Sequence, residues 1–337
     1  MINSAFCHFV IFCIFTLLSL SVGAQEISQD ALFRVMEYNV ENLFDCQHDS
    51  LKDDTEFSET GSYRWTKSRY WKKLNSVARG IVLASTHDDA LLLPDIIGLC
   101  EVENDSVLHS LCYRSLLRGA GYEYVMTNSP DLRGVDVALL YQPFSFRLIS
   151  SYSLRVDTIK GMRPTRDILY VKGETMSGEL HAFVIHAPSR RGGARETNPY
   201  RMAVMHRLMN SVDSIRVIEP DANVLVMGDF NAYDGDANLE YLKDRGLTDV
   251  TAGKYLKPNK RVKGTYRYQG EWGSLDHIFV SDSMLQTFRS SAVADHPELL
   301  EDDNKYGGVK PYRFFRGPIV NGGFSDHMPL SAEFILK

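Results

Sequence analysis

Cysteine is scarce in this 337-residue chain, with five in all and none at CxxC spacing. That excludes a thiolate zinc cluster and a disulfide-stapled mini-domain. Cys7 and Cys13 sit in an apolar N-terminal run, which leaves Cys46, Cys100 and Cys112 as an odd set. Cys100 lies in an apolar stretch and reads as a buried thiol, while Cys46 stays open to pairing with either partner. There is no Pro/Ser/Gly-rich linker, low-complexity tract or internal repeat, so nothing divides the chain into tethered modules. A basic surplus is also missing: Lys and Arg total 37 against 43 Asp and Glu, a net charge of −6. That balance counts against a non-specific nucleic-acid binder with a basic face, although charge can still be local. No Ser or Cys nucleophile is paired with a base, so nothing points to covalent catalysis.

The N-terminus lacks charge altogether, with no Lys, Arg, Asp or Glu before Glu26. Phe6 to Val22 is almost continuously apolar and ends in Ser21-Val22-Gly23-Ala24. This layout predicts a signal peptide over residues 1–24, cleaved after Ala24, and export to the periplasm or the outside. A basic n-region is missing, so an uncleaved anchor helix is the competing reading. No Cys follows the cleavage point, which argues against a lipid anchor. The expected mature product is one domain, residues 25–337, monomeric and free of the membrane once the leader is gone.

Periodicity then fills in the domain. Phe33–Val40 alternates as a strand, and Trp71, Leu74, Val77, Ala78, Ile81 and Val82 recur at helical spacing. Strands are expected at Ile96–Cys100, Tyr122–Thr127, Val135–Tyr141, Ile168–Val171, Leu180–His186, Asn223–Met227, Gly264–Tyr268, Leu275–Val280 and Pro329–Ile335. Helices are expected over Ser106–Leu117 and Tyr200–Val217, and the stretch 282–323 reads as a long decorated loop. The alternation predicts an α/β architecture with a helix-covered sheet.

Polar groups gather where the apolar strands stop, the usual place for a site in such folds. The segments are Asn39-Val40-Glu41-Asn42, Glu101-Val102-Glu103, His186-Ala187-Pro188-Ser189-Arg190-Arg191, Gly228-Asp229-Phe230-Asn231, Asp276-His277 and Ser325-Asp326-His327. They offer carboxylates, carboxamides and imidazoles, a donor set that suits Mg²⁺, Mn²⁺ or Ca²⁺ better than zinc. Taken singly each has a bland reading: a capping Glu, an Asx turn at Gly-Asp-Phe-Asn, a solvent-facing Ser-Asp-His. Their joint order overturns those readings. Glu103 and His277 are left as structural, and His48, His87, His109 and His206 as surface or packed residues without a role.

In that order the motifs resemble the endonuclease/exonuclease/phosphatase family, over roughly Phe33 to Phe334. The resemblance implies a four-layered α/β sandwich, with two packed mixed β-sheets flanked by helices. It implies a phosphoesterase whose divalent metal, Mg²⁺ or else Mn²⁺ or Ca²⁺, is held by Glu101 with Glu41 and Asp326 nearby. Asp229 and Asn231 would handle the attacking water and the phosphoryl oxygens, and Asn39 the network or a phosphate oxygen. His327 would pair with Asp276, and His186 matches the second histidine of the nuclease branches. Both Asp229 and His327 qualify as the base. Arg190 and Arg191, beside Gly192-Gly193, are candidates to cradle phosphate, and Tyr312-Arg313-Phe314-Phe315-Arg316 is either a substrate rim or the packed base of a loop. Nucleic acid, a phospholipid headgroup and a soluble phosphate ester compete as substrate, with a phosphodiesterase or nuclease leading. A binding module that kept the fold without the chemistry is the reading from another class.

Overall fold

The computed structural model describes residues 31–336 except Asp88 and Asp89 and the side chain of His87. The predicted leader and its cleavage point lie outside these residues. Twelve strands carry the two main sheets. In chain order they are β1 (Ala31–Leu43), β2 (Ile96–Val102), β3 (Glu123–Met126), β4 (Asp136–Tyr141), β5 (Arg147–Leu154) and β6 (Ile168–Thr175). They continue as β7 (Gly178–His186), β8 (Asn223–Asp229), β9 (Thr248–Asp249), β10 (Asp276–Val280), β11 (Phe288–Val293) and β12 (Leu330–Leu336). One sheet runs β11-β12-β1-β2-β4-β3 and the other β9-β10-β8-β7-β6-β5.

Each sheet holds one parallel pair at its centre, β1 with β2 and β7 with β8, and is antiparallel elsewhere. A parallel pair brings two strand C-termini to one edge, and an antiparallel neighbour begins at that same edge. In the second sheet Asp229 and His186 are Cα partners at the ends of β8 and β7, and Asp229 is also opposite Asp276 at the start of β10. The topology therefore gathers the strand-end motifs along one edge before any side chain is considered.

Strand sequences explain the layering. Leu225 and Met227 of β8 pack into the cluster between the sheets, while Val224 and Val226 pack with the helices Asn198–Ile218 and Ala237–Asp244. Successive side chains leave a strand on opposite faces, so a strand buried on both sides reads as a continuous apolar run. On the first sheet helix α1 (Lys67–Ala84) buries Tyr70, Leu74, Val77, Ala78 and Ile81 as one stripe, with Thr66 capping its start from the Arg69 amide. The order is helices, sheet, sheet, helices. Gly98 marks a close approach of the two sheets, since a Cβ there would lie 2.9 Å from Met227 Sδ.

The elements that periodicity misses are edge strands. β5, Arg-Leu-Ile-Ser-Ser-Tyr-Ser-Leu, is largely exposed, and β11 carries Ser290-Ser291. Neither shows an apolar alternation because neither buries a full face. The stretch 282–323 is accordingly more ordered than a decorated loop: it holds β11 and two small ribbons, one pairing Leu300–Asp302 with Val309–Pro311. Cys46, Cys100 and Cys112 are all free thiols.

One residue in the intersheet layer breaks the apolar rule. Glu37 on β1 lies beside Gly98 of β2 and is fully buried, and among the described residues its carboxyl oxygens have no partner stronger than the neighbouring Cys100 thiol. Burial, reinforced by Asp276 and Asp229, raises its pKa well above the ordinary carboxylate range. A group that is neutral in the fold but ionised in the open chain costs stability as pH climbs from about 4.3 toward its raised folded value. Glu37→Gln should match the wild type in thermal unfolding at pH 4 and gain roughly 1–3 kcal/mol over it by pH 8. A gap that does not widen with pH would count against this account.

Candidate active site

The chain must turn sharply at the ends of β1 and β2 to aim polar side chains across the edge. Glu41 and Asn42 both have φ of 55°, and Glu101 has φ of 66°. Such left-handed non-glycine residues interrupt the strand alternation, and the β1–β2 register shifts between Asn39 and Leu43. Asn39 holds this turn: its Oδ1 accepts the Glu41 amide at 3.0 Å, and its carbonyl accepts Ser325 Oγ at 2.6 Å. Its Nδ2 donates to Asp229 Oδ2 at 3.0 Å, joining the two sheets. Glu101 Oε2 accepts the Asn42 amide at 2.9 Å. Glu101 Oε1 faces Arg133 at 3.5 Å and His186 at 4.0 Å, with no hydrogen bond among the described residues.

The end of β8 requires glycine. Gly228 has φ of 144°, and a Cβ there would lie 1.9 Å from the Ile185 carbonyl oxygen. Asp229 follows, its Oδ1 accepting the Asn231 amide at 2.8 Å. Asn231 Nδ2 donates to the Ala187 carbonyl at 3.0 Å. The Asx turn expected of Gly-Asp-Phe-Asn is therefore present, and it is also what fixes Asp229 at the cleft. From the opposite side Ser325 Oγ accepts the His327 amide at 3.1 Å, and His327 Nδ1 bonds Asp276 Oδ2 at 2.7 Å. His186 Nε2 lies 3.5 Å from Asp229 Oδ2.

The electrostatics divide the two histidines. Burial works against charge on His327, yet Asp276, then Asp229 and Asp326, raise its pKa well above the usual range, so it is an imidazolium. Burial, with Arg166 and Arg133 behind it, pushes His186 well below, so it is neutral. Asp229 is raised to about 7 by burial and by Asp276, against the pull of His327, Asn231 and Asn39. Glu41 is raised to about 7 by burial and by Asp326, with Lys73 and Arg313 opposing.

These residues line a cleft of about 700 Å³ that takes in Asn39, Glu41, Glu101, His186, Asp229, Asn231, Asp326 and His327. Asp276 stands behind His327. Arg190 and Arg191 border the mouth, with Arg190 held by Asp236 and lying 4.7 Å over the Tyr233 ring. His277 is apart from the cleft chemistry, bonding Asp249 at 2.8 Å and the Ala232 carbonyl at 3.0 Å. The Tyr312–Arg316 segment does both jobs: Phe314 and Phe315 are buried, while Arg313 reaches the cleft.

Sequence reasoning misses Arg133, Arg166, Lys73 and the cleft tyrosines Tyr233, Tyr266 and Tyr268. Arg166 donates to the His186 and Ala187 carbonyls at 3.1 and 2.8 Å and pairs with Asp131 at 3.0 Å, holding the β7 end in place. Lys73 alone carried a signal, as a lysine on the apolar stripe of α1.

Two groups among the described residues place three donor atoms close enough to hold a metal ion: Asp229, Asp276 and His327, and, far from the cleft, Glu179, His181 and Glu219. Lys172 already pairs with Glu179 and Glu219 in the second. The bond from His327 to Asp276 occupies the first. Glu101 fits a hard cation best, because its Oε1 opens to the cleft with Arg133 no nearer than 3.5 Å and His186 at 4.0 Å.

The profile of the endonuclease/exonuclease/phosphatase family matches residues 34–335, so the chain belongs to that family. Members of the family are phosphoester hydrolases. The fold is similar to a humanized D. rerio TDP2, at 18% identity and a TM-score of 0.55 over 90% of this chain and 98% of that one. It is similar to the human Nocturnin catalytic domain with bound sulfate, at 19% identity and 0.56 over 91% and 94%. It is also similar to a mannosyl-6-phosphatase of Bacteroides thetaiotaomicron, at 16% identity and 0.56 over 90% and 99%. No match was found among curated protein sequences.

Asp276→Asn keeps the shape of the His327 pair and removes the charge. In an NMR titration His327 of the wild type should stay protonated through neutral pH, whereas in the variant it should release its proton near or below about 6.5. Unchanged titration would mean that Asp276 does not set the imidazolium.

Proposed function

We propose that this protein is an exported, metal-dependent phosphodiesterase that hydrolyses phosphodiester bonds by direct attack of water. The observation that supports it most is the placement of Asp229. A base held near neutral pKa stands between the Asn39 carboxamide and the Asn231 backbone amide, across from an imidazolium and in one cleft with Glu101, whose Oε1 stays 3.5 Å from Arg133. A cation at Glu101, Mg²⁺ or else Mn²⁺ or Ca²⁺, would supply charge stabilisation for the phosphoryl oxygens.

The remaining work falls to the chain. Asp229, its Oδ1 turned by the Asn231 amide and its Oδ2 by Asn39, orients the water and accepts its proton. His327, locked by Asp276 through Nδ1, presents its other ring nitrogen to the charge that develops in the transition state. Asn39 and Asn231 each spend one N–H on the protein and keep the second for a phosphoryl oxygen. Arg133, Arg190 and Arg191 supply local positive charge at the mouth of a net-acidic protein. His186, neutral, sits between Asp229 and Glu101 and keeps the two carboxylates apart.

That same concentration of arginine in a bounded cleft favours one second reading, a soluble phosphomonoester, the bond class named for the mannosyl-6-phosphatase neighbour. Export rests on the apolar leader alone; among the described residues no helix is long and apolar enough to cross a membrane.

Hydrolysis of bis(p-nitrophenyl) phosphate, p-nitrophenyl phosphate and plasmid DNA with Mg²⁺ or EDTA tests the reading. Diester turnover should vanish in EDTA and fall by about 10²–10⁴ in Asp229→Asn and His327→Ala. Turnover of the monoester alone would replace the first reading by the second, and activity indifferent to EDTA would remove the metal. N-terminal sequencing of secreted protein should start at Gln25; a start at Met1 would mean a retained anchor.

A further inference from the structure

Glu41, Glu101 and Asp326 are the three cleft carboxylates that the family resemblance groups around metal, yet they have unlike partners. Glu41 has both oxygens engaged by the protein. Its Oε1 accepts Arg313 Nε at 3.1 Å and Nη2 at 3.0 Å, and its Oε2 accepts the Phe314 amide at 2.7 Å. The same Arg313 Nη2 donates to Asp326 Oδ2 at 2.9 Å. One guanidinium thus bridges the two carboxylates and brings them the positive charge that a bridging cation would otherwise supply.

The guanidinium is held from behind. The Arg313 carbonyl accepts Asn321 Nδ2 at 3.0 Å, and Phe314 and Phe315 pack against Trp65 with ring centroids 6.1 and 5.6 Å away. A second fixed cation stands next to it. Lys73, fully buried on α1, donates to the Phe324 carbonyl at 2.7 Å and lies 4.8 Å from the Phe314 ring centroid. Two carboxylates therefore face two protein cations. An ion entering between Glu41 and Asp326 would have to displace the first of these and then bear the field of both. Glu101 is held more loosely: Arg133 donates to Asn42 Oδ1 at 2.6 Å and makes only a 3.5 Å ion pair with Glu101 Oε1, on one side of that oxygen.

We propose that the Arg313 guanidinium fills the cation position between Glu41 and Asp326, so that the cleft takes a single divalent ion, at Glu101. The inference rests on the metal-dependent reading above and adds the number of ions and what limits it. Arg313 acts as a built-in counter-ion, a positioning residue that holds Glu41 and Asp326 in place whether or not metal is present.

Calorimetric titration of EDTA-stripped full-length protein with Mn²⁺, followed by Mn²⁺ electron paramagnetic resonance, counts the ions without recourse to turnover. Wild type should bind one ion, and Glu101→Gln should bind none. Arg313→Met and Arg313→Gln, the latter keeping a donor but no charge, should each rise to two, with the paired-ion broadening of neighbouring Mn²⁺. Adding Glu41→Gln to either should return the count to one. Circular dichroism identifies which Arg313 variant is folded, and either one suffices. Two ions in the wild type, or one in a folded Arg313 variant, would overturn the proposal and leave the hydrolase reading intact. No ion in the wild type would instead overturn the metal-dependent reading beneath it.

Discussion

The hydrogen bond from Asn39 Nδ2 to Asp229 Oδ2 is the contact on which the cleft depends. It runs between the ends of two central strands in different sheets, so it reports and fixes the alignment of one sheet on the other at the edge where the chemistry gathers. Asn39 is also bonded to its own turn at Glu41 and, through its carbonyl, to Ser325. A single carboxamide therefore couples the β1 turn, the β8 end and the segment that delivers His327. Both ends are buried, so the bond is made in a setting where an unmatched partner would be costly.

The second constraint is the density of acid. Glu37, Glu41, Asp229 and Asp276 are all buried within one region, and burial opposes ionisation in each case that shifts. The chain meets this in three ways. It leaves Glu37 neutral between the sheets, sets the His327 imidazolium against Asp276 and Asp229, and brings Arg313 and Lys73 against Glu41. The arrangement explains why the net charge of the whole chain says little about the site. Positive charge is placed where the carboxylates are, not spread over a face.

Much of this was legible in the sequence, because the informative residues sit where apolar runs stop. The runs that become β1, β2, β7 and β8 are buried on both faces and so stand out, and their ends carry Asn39, Glu101, His186 and Asp229. The edge strands β5 and β11 were illegible for the converse reason, having no buried face to impose a period. The arginines were missed because their roles depend on where loops return. Arg313 meets Glu41 across 272 positions of sequence and Arg133 meets Asn42 across 91, separations that no local pattern encodes. Tyr312–Arg316 could not be divided into core and rim for the same cause, since Trp65 covers Phe314 and Phe315 and Glu41 receives Arg313, all from distant parts of the chain.

The left-handed turns bear on how such a molecule fails. Of the six non-glycine residues with positive φ among the described residues, four (Glu41, Asn42, Glu101 and Asn231) border the cleft. Each conformation costs on the order of 1 kcal/mol or more and survives only while the surrounding sheets over-determine it. Set against a total margin of about 5–15 kcal/mol, that is a sizeable share of strain confined to one rim. Gentle heating or a loosened core would let these turns relax into ordinary strand geometry before the sheets part. The rim would act as a mechanical fuse, and competence would be lost in molecules that still look folded.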